Sequence, residues 1–150
     1  MDLTYQQITF GTPEYDSALR LRDQVLREPL DLEFYSEDIS QEYGVDHLVA
    51  IDSTGVVRGV LILQSLDDHG TQVKMRQVAV DPDYQSRGVG SGLVEFSEVY
   101  AMVNETKEFV LNARKTAVKF YKKLGYKTVG KEFEEVGIPH YQMTKKLSKA

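Results

Sequence analysis

The sequence predicts an α+β fold in three layers: a mixed central sheet of about six to seven strands flanked by about four helices. Three observations carry that expectation. Residues His47 to Val80 hold three consecutive runs rich in Val, Ile and Leu, separated by two Asp- and Gly-containing turns, the pattern of an antiparallel meander. Two other segments, Tyr15 to Leu26 and Val89 to Tyr100, space their apolar residues at helical intervals. The elements follow one another unevenly rather than in strict alternation. No repeat, low-complexity stretch or linker divides the 150 residues, a length that suits one domain, 1–150.

Taken in order, Tyr5 to Phe10 is a short strand ended by Gly11-Thr12-Pro13. Thr12 is placed to cap a helix, with Pro13 at its first position and Glu14 in its first turn. Tyr15, Ala18, Leu19, Leu21, Val25 and Leu26 form its apolar face, and Pro29 ends it. Ser36-Glu37-Asp38-Ile39 opens a second short helix, closed by Gly44. His47 to Ile51, Val56 to Leu66 and Thr71 to Val80 are the meander, turning at Asp52 to Gly55 and at Asp67 to Gly70. Gly88 to about Val103 is a helix, Phe109 to Leu111 a strand, and Thr116 to Leu124 a helix stopped by Gly125. Lys127 to Phe133 and His140 to Lys146 form a closing hairpin around Gly137-Ile138-Pro139.

Composition excludes several classes. A hydrophobic content of 41% and a charged content of 27% are those of a globular protein. The net charge of −5 argues against a general nucleic-acid partner and leaves a cationic or amine-bearing substrate open. With no cysteine there is no disulfide, thiolate metal site or cysteine nucleophile. The three scattered histidines make no metal constellation. Met1 to Tyr5 lacks a basic and apolar leader, and no apolar run approaches the roughly 20 residues of a membrane span. A cytoplasmic location without a membrane partner is the expectation.

The densest signal lies between Val78 and Leu93, which run strand, turn, glycine loop, helix. Glycines there let the backbone turn its amides toward one point, and the following helix adds free N–H groups and the positive end of its dipole. A phosphate or pyrophosphate suits that environment, with Arg87 as a cation at its edge. A P-loop would need Lys after Gly90, where Ser91 stands. The dinucleotide fingerprint would need a third glycine at position 93, which is Leu93. A plain glycine turn packed under a helix remains as the other reading of the loop alone.

Gln85-Ser86-Arg87-Gly88-Val89-Gly90 resembles the coenzyme A pyrophosphate loop, Gln/Arg-x-x-Gly-x-Gly/Ala, of the GNAT acetyltransferases. Some 30 residues on, Phe120-Tyr121-Lys122-Lys123-Leu124-Gly125-Tyr126 resembles the signature that ends the family's last major helix. Gly137-Ile138-Pro139-His140 with Met143, and Leu21-Arg22 with Val25, resemble the ElaA-like branch. The resemblance covers nearly the whole chain and implies the GNAT acyl-CoA N-acyltransferase fold. It further implies acetyl-CoA (coenzyme A) as donor, and direct attack of a small-molecule or peptidyl amine in a ternary complex.

Carried over residue by residue, the resemblance assigns Val78, Ala79 and Val80 to the pantetheine arm, with an amide near Ala79 or Val80 steadying the oxyanion. Gln85, Ser86, Arg87, Gly88, Val89, Gly90 and Ser91 go to the pyrophosphate. Tyr121 takes the role of general acid toward the leaving thiolate, although an aromatic at helical spacing also reads as core. Phe120 stands beside it in the motif. Relatives often carry a glutamate on the strand before the loop, and Gln72 to Gln77 contains none. His140, Glu132, Glu134 or a water chain are the candidates for the base. Arg114 stands where many relatives have an asparagine that contacts the pantetheine, with Asn112 two positions earlier. Arg22 and Arg76 read either as solvated cations or as an acceptor pocket for a carboxylate- or phosphate-bearing amine. Dimerisation is common among relatives, and the last hairpin would offer an interface for a homodimer. The alternative to an enzyme is a non-catalytic coenzyme A-binding regulatory domain, which the missing strand carboxylate favours and Tyr121 opposes.

Overall fold

The computed structural model describes residues 2–27 and 45–147. Chain order is β1 (Leu3–Ile8), α1 (Pro13–Arg22), a π-helical turn (Asp23–Arg27), β2 (Asp46–Asp52), β3 (Val57–Ser65) and β4 (Gln72–Val80). A 3-10 turn (Pro82–Tyr84), α2 (Val89–Val103) and β5 (Glu108–Arg114) follow. The chain closes through a second 3-10 turn (Lys115–Ala117), α3 (Val118–Lys123), β6 (Lys127–Glu135) and β7 (Ile138–Lys146). The seven strands form one mixed sheet in the order β1-β2-β3-β4-β5-β7-β6. The expected helix at Ser36 to Gly44 lies outside the described residues.

The described residues fall into two compact units, drawn from Met1–Gln64 with Gln77–Val99, and from Ser65–Arg76 with Tyr100–Ala150. In the first, β2 runs antiparallel to β1 and also to β3, the latter being the first pair of the expected meander. Its core gathers Ile8, Tyr15, Ala18, Leu21, Val49, Val57, Val60 and Ala79. Thr12 caps α1 by accepting from the Tyr15 amide at 3.3 Å, with Pro13 at the first helical position. Gly59 is where α2 comes down on the sheet. A Cβ there would sit 3.1 Å from Val89 Cγ1 and 3.4 Å from Leu93 Cδ2, so only glycine fits comfortably.

In the second unit β4 pairs in parallel with β5 over three rungs, Gln72 with Glu108 through Lys74 with Val110. β7 lies antiparallel to both β5 and β6. Phe109, Leu111, Tyr126 and Met143 are buried there. Gly125 stops α3 at φ +97°, a left-handed residue after the helix end, as expected.

Several boundaries differ from expectation. β1 begins and ends two residues early, because Thr9 already serves the turn by accepting from the Thr12 hydroxyl at 2.7 Å. α1 does not run unbroken toward Pro29 but passes into the π-helical turn after Arg22. The last hairpin turns at Val136-Gly137 and not at Gly137 to Pro139. Both turn residues have positive φ, +47° and +73°, and Glu135 faces Ile138 across a two-residue loop. Ile138 and Pro139 therefore belong to β7.

Candidate active site

In the first unit the loop after β4 is built by a sequence of local caps. The Asp81 carboxylate accepts from the Asp83 amide at 2.9 Å and starts the 3-10 turn, whose first residue is Pro82. Gln85 then folds its side-chain amide back to donate to the Val80 carbonyl at 3.1 Å. Ser86 at φ +64° and Gly88 at φ +83° are both left-handed, and Ser86 holds that conformation at a cost of about 1–2 kcal/mol. Left-handed residues alternating with right-handed ones turn successive N–H groups toward a common point, an anion-binding concavity.

The helix completes the cradle. Gly92 N–H closes its first turn on the Gly88 carbonyl at 2.9 Å, so the amides of Val89, Gly90 and Ser91 precede the helical ladder. No acidic side chain stands in that first turn. Among the described residues, a Cβ at Gly88 would meet nothing within 4 Å. Gln85 to Gly88 are exposed, and Arg87 lies beside the loop with its guanidinium 5.6 Å from the Tyr84 ring centroid. These features fit a pyrophosphate. Val89 is 1% exposed, its side chain spent on packing under Gly59, so it offers a ligand only its amide.

Tyr84 is itself held. The Arg58 guanidinium lies 4.6 Å from its ring centroid and forms 2.8 Å ion pairs with both Asp52 and Asp81. Asp52 also accepts from the Thr54 hydroxyl at 2.7 Å and from the Thr54 and Val56 amides. The Thr54 hydroxyl and the Val56 amide are the leading causes that hold its carboxyl well below the usual range. Arg58, pairing with Asp52 and Asp81, is pushed the other way.

Gln77 lies within β4 just before Val78. It has φ +57°, a strained conformation for its residue type, and its buried side-chain Oε1 has no hydrogen-bond partner among the described residues. Nothing in the sequence marks it, since neither Gly nor Asn stands there. Ala79 is buried, while Val78 and Val80 keep partial exposure. Arg22 is 1% exposed at the end of α1, which overturns the reading of it as a solvated cation.

In the second unit Tyr121 is buried on α3, its ring edge-on to Phe120 at 5.0 Å and to Tyr126 at 5.7 Å. Burial raises its phenol to about 12, so the hydroxyl keeps its proton throughout the neutral range. His140 is 4% exposed on β7, opposite Arg114 of β5. Its Nδ1 sits 2.8 Å from the Ile138 carbonyl, and its Nε2 3.5 Å from a Glu135 carboxylate oxygen. Asn112 donates to the other Glu135 oxygen at 3.3 Å. The structure thus joins Asn112, Glu135 and His140 in one polar chain.

Glu135 is the member that sequence reasoning missed. With the turn expected one residue later, nothing set Glu135 apart from Glu132 and Glu134. Glu132 is engaged with Lys115 at 3.1 Å and with the Tyr141 hydroxyl at 3.3 Å. Glu134 is exposed. Arg76 and Phe120 are partly buried in this unit. Among the described residues no cluster of His, Cys, Asp or Glu is placed to hold a metal ion, and no helix is long and apolar enough to cross a membrane.

The family model described as acetyltransferase (GNAT) domain matches residues 2–147. The uncharacterized N-acetyltransferase YjcF of Bacillus subtilis is 33% identical over 129 residues, covering 85% of this chain and 89% of that protein. Among solved structures, an aminoglycoside 6'-N-acetyltransferase complexed with coenzyme A superposes with a TM-score of 0.81 at 16% identity, over 98% of both chains. ElaA of Escherichia coli gives a TM-score of 0.81 at 20% identity, covering 96% of this chain and 99% of that one. At such identities the structural matches speak for the fold.

Proposed function

Because the chain belongs to the GNAT acetyltransferase family, and so is an acyltransferase using acetyl coenzyme A, we propose that it acetylates a primary amine of a small-molecule or peptidyl acceptor. The observation that carries this reading is the left-handed pair Ser86 and Gly88 ahead of an acid-free first turn of α2. When bound, acetyl coenzyme A supplies an activated acetyl thioester to the acceptor.

The protein's part is to hold and to move protons. The amides from Ser86 to Ser91 take the pyrophosphate, with Arg87 as counter-charge. Backbone groups of Val78, Ala79 and Val80 hold the pantetheine arm, and an amide near Ala79 or Val80 stabilises the developing oxyanion. Asn112, Arg114 and Phe120 are further cofactor contacts. Tyr121 Oη, protonated at neutral pH, gives its proton to the departing sulfur. His140 Nε2 is the proton acceptor from the amine. The Ile138 carbonyl fixes a proton on Nδ1, and Glu135 stabilises the resulting imidazolium. Arg22 and Arg76 are assigned to an anionic group on the acceptor. We read residues 1–150 as one functional domain, cytoplasmic and able to form a homodimer.

Thermal-shift measurements with acetyl coenzyme A test the donor. At a hundredfold excess over Kd the fold should gain about 2.7 kcal/mol, and no shift at high micromolar donor would sink the reading. A thiol-release assay against an amine panel then finds the acceptor class. Binding without release for any amine would favour a regulatory coenzyme A module instead.

A further inference from the structure

We propose that Arg58 is a positioning residue for the donor, acting on the pyrophosphate loop through Asp81 and Tyr84. The proposal rests on the coenzyme A reading of that loop but concerns a residue outside it, on β3.

The geometry is specific. One guanidinium joins three points around the loop. Its Nε pairs with Asp52 at the end of β2, and its Nη1 with Asp81, the cap that starts the 3-10 turn. Its Cζ lies over the ring of Tyr84, the last residue of that turn. The backbone repeats the link, because the Asp81 amide donates to the Arg58 carbonyl at 2.8 Å. Tyr84 in turn carries the Arg87 guanidinium 5.6 Å from its ring centroid. The ring therefore contacts two cations, Arg58 from the sheet and Arg87 from the loop, and each contact is favourable.

All three ion-pair partners are only partly accessible, at 23%, 11% and 17% of their side-chain area. A pair of that kind, with one guanidinium held at fixed angles by two carboxylates, restricts geometry more than an isolated surface pair does. Arg58 faces no substrate in this scheme. It fixes where Ser86 to Gly88 begin, and thereby where Arg87 and the free amides of α2 point.

The test is Arg58→Met, which keeps the aliphatic stem. Asp52 and Asp81 retain their amide donors in the turns, so neither carboxylate is left without a partner. Calorimetric titration with coenzyme A should show Kd rising roughly tenfold. At saturating donor kcat should stay within about twofold, and Arg58→Lys should recover part of the loss. In a double-mutant cycle the effects of Arg58→Met and Arg87→Met on Kd should fall short of additive, since one acts through the other. Tyr84→Leu, which leaves both ion pairs in place, should weaken coenzyme A binding in the same direction. An unchanged Kd in Arg58→Met, or full additivity with Arg87→Met, would overturn the proposal. Should Arg58→Met not fold, an unchanged Kd in Tyr84→Leu overturns it instead. A wild-type protein that binds no coenzyme A would remove the donor reading itself, a different failure.

Discussion

At the scale of single residues, Tyr121 is the proposed general acid. Burial raises its phenol to about 12, so the hydroxyl stays protonated and available to donate, although as a weaker acid than a free tyrosine. Tyr121→Phe should lower kcat by roughly a hundredfold while leaving the donor KM near its original value. The same shift has a sign for stability. Because the folded group sits above its ordinary value of 10.0, its contribution is complete below pH 10 and is lost between pH 10 and 12. Alkaline melts should therefore fall more steeply for the wild type than for Tyr121→Phe. Gly88 gives a second check. Its left-handed φ strains any side chain although no described residue would touch a Cβ there, so Gly88→Ala should lose about 1 kcal/mol of stability and weaken coenzyme A binding. Both residues were legible in the sequence, since each sits in a short contiguous motif. Glu135 was not, because its meeting with His140 depends on where the hairpin turns.

Elements raise a different question, which is how their ends are held. The loop between β3 and β4 is organised by Asp67, which accepts from the amides of His69, Thr71 and Gln72 and from the Thr71 hydroxyl. The Thr71 hydroxyl is the leading cause that lowers its carboxyl to about 2 from an ordinary 3.8. The folded group is the stronger acid, so its contribution is present above pH 3.8 and is lost as pH falls toward 2. Over that window Asp67→Asn should show a flatter loss of Tm than the wild type. In the closing hairpin, Val136 is a β-branched residue at φ +47° with 59% of its surface exposed. Asn tolerates that conformation, and the exposed valine side chain contributes little packing. Val136→Asn should raise stability by about 1 kcal/mol, or about 2–4 °C in Tm. Sequence reading found the helix cap at Thr12 and the stop at Gly125 because caps are local. It misplaced this turn because Gly-Ile-Pro holds two usual turn residues, whereas the β-branched Val136 is a poor candidate for the left-handed conformation it adopts.

For the whole molecule, the chain order of elements was readable but their lateral order was not. Three runs in succession predicted the meander, and of its strands β2 pairs antiparallel with β3 and β3 neighbours β4 in the sheet. Nothing in the spacing of β5, β6 and β7 says that β7 lies between the other two. That arrangement is decided by which hydrophobic faces bury together, and residues such as Phe109 and Met143 satisfy it only after the chain returns. The net charge of −5 likewise constrains partners and not the fold.

What the sequence determined by itself was the donor chemistry and the local geometry that serves it. Glycines, caps and a tyrosine motif act over a few neighbouring residues, and their effects are written in composition and spacing. What only the tertiary structure decided were the supports around that chemistry. Arg58 reaches Asp81 across 23 residues and Asn112 reaches Glu135 across 23 more, separations over which a sequence carries no pairing signal. The physical reason is that such pairs form when burial brings strands together, and burial is a property of the folded chain as a whole.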